Sequence, residues 1–502
     1  MKPNWDKEPM ERQMARQDDA LRKYLNEIVL PHSVYYRNLF QAYGIGLDEV
    51  RRMSDLQAVP FTSKDTLVAA LAEPEGIRSF VLEPDPKALA RKPSIILKSL
   101  FLGRKRIRKS LEREYRPVFM TSTTGRSADP VPFLYTHHDL GNLRKAGGRV
   151  IELGDARCDD RILNAFPYAP HLAYWLTHYA ALEKNIFCVS TGGGKVMGTA
   201  GNLRLIKKTR PSILVGMPTF IYHLFRQAEE EGQMIRGLRR IVLGGEKVAF
   251  GTRRKLAALA EKLGSPGIRV VATYGFTEAK LAWPECSHDP SEESTGYHVS
   301  PDLGIVEIVD PETGWPVPDG HPGEIVFTPL EARGSVVLRY RTGDLTEGGL
   351  VRDPCPCCGR TVPRIMGKIS RVSDHLSVNM EKLKGTLVDF NEIEHFLDDF
   401  EGVGSWQLEL SKANDDPLDL DELTLRICPE SGVDQRRLAS EICESFEQAM
   451  ELRPNRVSFI TPEELRKRHG VGTLLKEEKI VDRRNCAVRA TPIEPNLVKA
   501  ER

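Results

Sequence analysis

Between about Leu111 and Thr277, short β-branched runs alternate with longer stretches of helical periodicity. The runs are Arg161–Phe166, Asn185–Val189, Ser212–Val215, Arg240–Leu243 and Arg269–Thr273, each leading through Gly or Pro into a helix-like segment. This alternation predicts a parallel sheet with helices packed on its faces. It also predicts where a ligand sits, at the carboxyl ends of the strands. From about Leu303 to Gly343 the texture changes to strands separated by PETG and PDG turns, an antiparallel β-rich section. Beyond Ser373, Phe390, Ile393, Leu397 and Phe400 recur at helical spacing, as do Leu438, Ile442, Phe446 and Met450. Trp406/Leu408/Leu410, Leu423/Leu425/Ile427 and Val457/Phe459 alternate as half-buried strands. The expected fold class is therefore α/β: a large N-terminal domain, residues 1–370, and a small, mobile α+β domain, residues 371–502. The charged stretch Met366–His375 is the predicted linker.

Charge narrows the partners. Seventy-one Lys and Arg face 70 Asp and Glu, so no global field draws in nucleic acid or lipid and any anion must be bound locally. The first thirty residues carry charge throughout and lack a signal-peptide core, and no apolar window is long enough to span a bilayer, so a cytoplasmic location is expected. Nine cysteines in 502 residues are too few for a disulfide framework, but three cluster at Cys355, Cys357 and Cys358.

Three segments offer chemistry. VFMTSTTGRSADPVPF, Val118–Phe133, ends an apolar strand in hydroxyls and a Gly, a cradle for phosphate oxygens without Walker spacing. VVATYGFTEAK, Val270–Lys280, runs from a buried strand into Tyr274, Gly275, Thr277 and Glu278. An aromatic ring there can stack on a purine, and the carboxylate beyond it can hold a divalent cation. LRYRTGDLTE, Leu338–Glu347, sets Asp344 after a Gly turn, where it can accept hydrogen bonds from ribose hydroxyls.

The order TSTTGRSADP, LGGE, YGFTE, YRTGD, then a hinge and a small domain, resembles the adenylate-forming enzymes, the superfamily of acyl-CoA synthetases. Within it, YRTGD followed by PCPCCGRTVPRI, together with VGMPTF and LLKEEKIVDRR, is most similar to the phenylacetate-CoA ligase family. The resemblance implies that Thr121, Ser122, Thr123, Thr124 and Gly125 grip the triphosphate of ATP, with Thr123 and Thr124 the matched hydroxyls. It further implies Gly244, Gly245 and Glu246 as the adenine-side turn, Tyr274 stacking with Gly275 and Thr277 beside it, Glu278 on Mg2+ and Asp344 on ribose. Arg371 matches the arginine before the hinge, Asp374 or a neighbour the hinge, and Lys476 the mobile lysine of adenylation, with Lys479 a close competitor. The chain departs from the family at Ser122, where a Gly is usual, at Gly125-Arg126-Ser127, in a longer hinge, and before Lys476, where Ser-Glu-Gly is missing.

Metal binding has its own signal. The Cys-x-x-Cys-Gly knuckle at Cys355–Gly359 aims two thiolates at one ion, and Cys286 and His298 lie upstream. The resemblance supports that pairing and favours a structural Zn2+ held by Cys286, His298, Cys355 and Cys358, with Cys357 and His288 as alternates.

The expected activity is ATP-dependent adenylation of an aryl or other apolar carboxylic acid, with release of pyrophosphate and transfer of the acyl group to a thiol. Coenzyme A is the favoured acceptor; a phosphopantetheine on an acyl carrier protein, a protein cysteine, or a non-catalytic nucleotide-binding role stay open, as does a homodimer. The acid is expected between Phe166–Trp175, Gly216–Pro218 and Gly244–Glu246. The basic run Gly103–Lys109 reads as a solvated loop or helix face that could meet an acidic partner such as a carrier protein.

Overall fold

The structure, a computed structural model, describes residues 5–46, 49–74, 76–123, 130–289, 292–371, 380–383, 386–412, 421–450, 452–470 and 478–483. The chain separates into two compact units, Met1–Val372 and Ser373–Arg502.

The first unit is built around a six-stranded sheet of β3 (Arg161–Asn164), β4 (Phe187–Ser190), β5 (Ile213–Gly216), β6 (Arg240–Leu243), β7 (Arg269–Phe276) and β8 (Leu281–Pro284), in the order β4-β3-β5-β6-β7-β8. The first five run parallel and only β8 is antiparallel, returning beside β7. Every residue of β5 is buried, as expected of a central strand covered on both faces. The helices Leu172–Lys184, Gly193–Thr209, Pro218–Glu230 and Phe250–Lys262 connect successive strands. Burying a Leu or Ile side chain in such a core contributes roughly 1.5–3 kcal/mol.

The hydroxyl-bearing strand does not join this sheet. It is β1 (Pro117–Ser122), which pairs in a separate antiparallel hairpin with β2 (Pro132–Thr136). The helix His137–Leu153 follows directly, closed by a capping box in which Thr136 and Asp139 bond each other's backbone N–H. Asp139 also accepts the N–H groups of Arg333 and Gly334 at 2.9 and 2.7 Å, so one buried carboxylate ties this helix to a distant loop.

The β-rich section is antiparallel: β10 (Gly304–Val309), β11 (Gly323–Pro329), β12 (Tyr340–Thr346) and β15 (Ile369–Arg371) form one sheet in that order. A second small sheet joins β9 (Tyr297–His298), β14 (Arg364–Ile365) and β13 (Leu350–Val351). Part of the predicted linker is thus sheet, because Ile369–Arg371 finds partners along β12.

The second unit holds a hairpin of β16 (Met380–Leu383) and β17 (Thr386–Asp389), and a sheet of β18 (Val403–Lys412), β19 (Asp421–Pro429), β20 (Arg456–Phe459) and β21 (Ile480–Asp482) in the order β20-β19-β18-β21. The helices Phe390–Asp399 and Gln435–Met450 present Ile393, Leu397, Leu438, Ile442 and Phe446 to a core shared with Trp406, Leu408 and Leu425. Those are the periodic residues of the sequence. Among the described residues no helix is long and apolar enough to cross a membrane.

Candidate functional site

β5, β6 and β7 are parallel neighbours, so their carboxyl ends lie along one edge of the sheet. At β6 the chain turns through Gly244 and Gly245. A Cβ on Gly244 would lie 2.4 Å from Thr273 Oγ1, and Gly245 has φ +80°, so both positions favour glycine. Glu246 then accepts from Thr219 Oγ1 at 2.6 Å and from its N–H at 3.3 Å, which binds the turn to the start of Pro218–Glu230. Around Gly244 and Gly245 lie the Phe166 ring and the Met217 side chain, so three of the segments expected around the acid meet here. Tyr168 and Trp175 add an aromatic wall, with ring centroids 6.0 Å apart.

At β7, Gly275 allows β8 to approach: a Cβ there would fall 2.6 Å from that of Ala282. Tyr274 is held among Phe276, Trp283 and Tyr297, with ring centroids 5.8–5.9 Å away. Its hydroxyl donates to Asp344 Oδ2 at 2.8 Å. Asp344 comes from β12, where it lies opposite Arg371 in register, and Arg371 Nε reaches its Oδ1 at 3.2 Å. Thr342 Oγ1 accepts the Asp344 N–H at 3.0 Å, fixing the turn. Burial and then the Asp344 charge hold the Tyr274 hydroxyl well above its ordinary range. Thr277 opens the short 3-10 turn Thr277–Ala279 that carries Glu278. The Glu278 carboxylate accepts from the Tyr340 hydroxyl at 2.7 Å, and burial raises its pKa against that bond. Residues from β7 and β12, about seventy positions apart, are thus drawn into one polar group.

The hydroxyl loop divides. Thr121 is fully buried, and its hydroxyl lies 3.0 Å from that of Tyr135 in the hairpin interior. Thr123 Oγ1 accepts the Val131 N–H at 3.0 Å and helps close the hairpin. Ser122 is tied to the aromatic loop, donating its N–H to Pro170 O at 2.6 Å while its carbonyl lies 3.2 Å from His171 Nδ1. Thr124 and Gly125 lie outside the described residues, as do Asp374 and Lys476. Lys479 is bound within its own unit: its ammonium reaches both Asp398 oxygens at 2.7 and 3.0 Å and sits 5.1 Å from the Trp406 ring centroid.

A second cluster lies past the end of β8. The ligand atoms of Cys286, His298, Cys355 and Cys358 all fall within 4.8 Å of one another. Cys286 Sγ and Cys355 Sγ are 3.9 Å apart, against about 3.8 Å for the edge of a tetrahedron with Zn–S bonds near 2.3 Å. His298 Nε2 is 3.3 Å from Cys358 Sγ. Three sulfurs and one imidazole nitrogen suit zinc in both number and chemistry. Hydrogen bonds, that from Cys286 foremost, hold the Cys355 thiol down while Cys286 is pushed up, so the set shares its protons. The two alternates point elsewhere: Cys357 is exposed, with its sulfur 3.9 Å from Ser287 O, and His288 Nδ1 lies 2.9 Å from Cys286 O.

Sequence reasoning missed the group that joins these clusters. Glu285, the residue after β8, forms a two-pronged buried pair with Arg253 at 2.6 and 2.7 Å and accepts the Ala272 N–H at 3.0 Å. Burial pushes its carboxyl up, but Arg253 more than offsets this and the net shift is downward. Tyr340 was missed too, although it stands in the quoted motif two residues before Thr342. Asp139 had a signal, the Thr-x-x-Asp spacing of a capping box.

Comparison with known proteins agrees with this architecture. Residues 81–330 match the family described as AMP-binding enzyme. The chain is 26% identical over 389 residues to a phenylacetate-coenzyme A ligase of Thermus thermophilus, covering 77% of this chain and 76% of the relative. It is 25% identical over 396 residues to the enzyme of that name from Escherichia coli K12, covering 78% and 77%. Among solved structures, 2-hydroxyisobutyryl-CoA ligase in complex with 2-HIB-AMP superposes with a TM-score of 0.74 at 19% identity, covering 96% of this chain and 91% of that one. The fold is that of the solved acyl-CoA ligase, and residues 81–330 carry the AMP-binding match. The resemblance to phenylacetate-CoA ligases read from the motifs extends across some three quarters of the chain.

Proposed function

We propose that this protein is an AMP-forming acid–CoA ligase acting on an aryl or other apolar carboxylic acid. The observation that carries the proposal is the convergence of Tyr274, Asp344 and Arg371, with Glu278 beside them, at the strand ends of the AMP-binding domain. The carboxylate of the acid attacks the α-phosphate of ATP, its C–O–P bond forms, and pyrophosphate leaves. The acyl adenylate then passes its acyl group to the thiol of coenzyme A, releasing AMP. Names of the relatives support the choice of an aryl acid and of coenzyme A.

Each residue has a physical task. Asp344, held by Tyr274 and Arg371, is the carboxylate that accepts the ribose hydroxyls in this reading. Tyr274 and the Gly244–Glu246 turn flank the adenine. Arg371, exposed and paired with Asp344, is the cation that balances charge near the ribose phosphate. The hydroxyl loop, Thr121 to Gly125, is the segment assigned to the phosphates, with Thr124 the leading hydroxyl. Glu278 is the residue to hold magnesium, which would supply positive charge to the phosphates. Lys476 supplies the mobile cation during adenylation; Lys479 suits that task less well because it is engaged with Asp398. Zinc at Cys286, His298, Cys355 and Cys358 would be structural, since four protein ligands leave no position for water.

ATP–pyrophosphate exchange with a panel of aryl, branched and linear acids tests the first step. Exchange that depends on an added acid is expected, strongest with an aryl acid. Absence of exchange with every acid, in folded protein that binds ATP, would overturn the reading.

A further inference from the structure

The helix Pro93–Leu102, sequence PSIILKSLFL, buries none of its residues. Ile96, Leu97, Leu100, Phe101 and Leu102 are exposed by 48, 57, 78, 80 and 49%. At 3.6 residues per turn, Pro93, Ile96, Leu97, Leu100 and Phe101 fall within an arc of about 140°. Scattered apolar residues on a surface need no explanation, but a continuous stripe of large ones does. The stripe is framed by charge. From Lys92 to Lys109 there are seven Lys and Arg residues, Lys92, Lys98, Arg104, Lys105, Arg106, Arg108 and Lys109, and no Asp or Glu. In a chain whose net charge is +1, this is a local concentration.

The second helix, Arg104–Tyr115, packs against the first across Gly103 and is fastened to the body of the unit. Its Ile107 is buried, its Glu114 accepts from Arg333 Nε at 3.1 Å, and its Tyr115 meets the His32 ring at 5.3 Å between centroids. Its basic side chains are exposed. The hairpin therefore holds an apolar helix outward on an anchored base, with cations at both ends of that helix.

We propose that this hairpin is a docking surface for an anionic lipid bilayer. Exposed Leu and Phe side chains enter the acyl boundary while the surrounding Lys and Arg, their stems lying along the apolar region, engage lipid phosphates. The charge selects among occupants. A second copy pressed on the same face would set seven cations against seven, the acids of the hairpin being already engaged, Glu112 with Arg108 and Glu114 with Arg333. An acidic soluble protein would satisfy the cations but needs no stripe of five projecting hydrophobic residues.

Sedimentation of the full chain with phosphatidylcholine vesicles, with and without about one third phosphatidylglycerol, tests this. Binding to the anionic vesicles alone is expected, weakening as salt rises. Leu100→Asp/Phe101→Asp should lower partitioning by about tenfold or more, and Arg104→Glu/Lys105→Glu should do the same, with melting temperature and pyrophosphate exchange unchanged. Wild-type protein left in the supernatant with every vesicle would overturn the proposal, as would equal binding by the variants. So would capture of an acidic carrier protein by the hairpin without vesicle binding.

Discussion

Two polar clusters grow from neighbouring strand ends, β7 with β12 in one case and the region past β8 in the other, and they are organised in opposite ways. In the Cys286/His298/Cys355/Cys358 cluster every donor faces the others, within 4.8 Å. In the Tyr274/Asp344/Arg371 cluster, with Glu278 and Tyr340 beside it, each carboxylate accepts from a tyrosine and the set reaches solvent at Arg371. An inward-facing set suits a structural ion; a set that reaches solvent suits a reactant. Burial differs as well: the metal set is buried but for the half-buried Cys358, whereas in the other set Asp344 and Tyr340 are buried, Tyr274 and Glu278 half-buried and Arg371 exposed.

The largest effect expected is on the inward-facing set. Cys355→Ala should abolish zinc content measured by elemental analysis and cost several kcal/mol in denaturant unfolding. Full metal retention would break the comparison. Next is the bridge between the clusters: Arg253→Met leaves Glu285 buried without its partner and should cost about 3–5 kcal/mol, while Arg253→Met/Glu285→Leu should recover much of it. Lys476→Ala should slow pyrophosphate exchange about 10²–10³-fold with zinc content and stability unchanged, separating chemistry from architecture. Tyr340→Phe removes one bond to Glu278 and should raise the magnesium requirement of exchange by about tenfold, with the ATP requirement little altered.

The smallest effect concerns acid. Asp302 is paired with Arg149 and Lys145, and although burial opposes it these cations hold its pKa at about 2, below the ordinary 3.8. A lowered folded-state pKa means that the pair's stabilisation is present above about pH 4 and lost as pH falls toward 2. The carboxylate is partly solvated, so Asp302→Asn should flatten the acid limb of stability by no more than about 1 kcal/mol.

Local chemistry decided what could be read from the sequence. Parallel strands were legible because buried strands write continuous β-branched runs, and the β-rich section because its turns are spelled out. The strand placed at Asn185–Val189 begins instead at Phe187, since Asn185 takes φ +55° to cap the preceding helix, a conformation Asn tolerates well. The Cys-x-x-Cys-Gly knuckle announced itself through spacing. The pairing of Thr121 with Tyr135 was not legible, because a Thr at a strand end looks alike in sequence whether it faces ligand or core. Glu285 with Arg253, and Asp139 with Arg333 and Gly334, join segments 32 to 195 positions apart, and no local pattern records such partners.

The most direct test is a crystal structure with a non-hydrolysable acyl-adenylate mimic. The ribose hydroxyls should lie within hydrogen-bond reach of Asp344, with adenine between Tyr274 and the Gly244–Glu246 turn and the acyl group directed toward Phe166. A mimic bound elsewhere, out of reach of Asp344 and Tyr274, would contradict the assignment of this cluster as the nucleotide site.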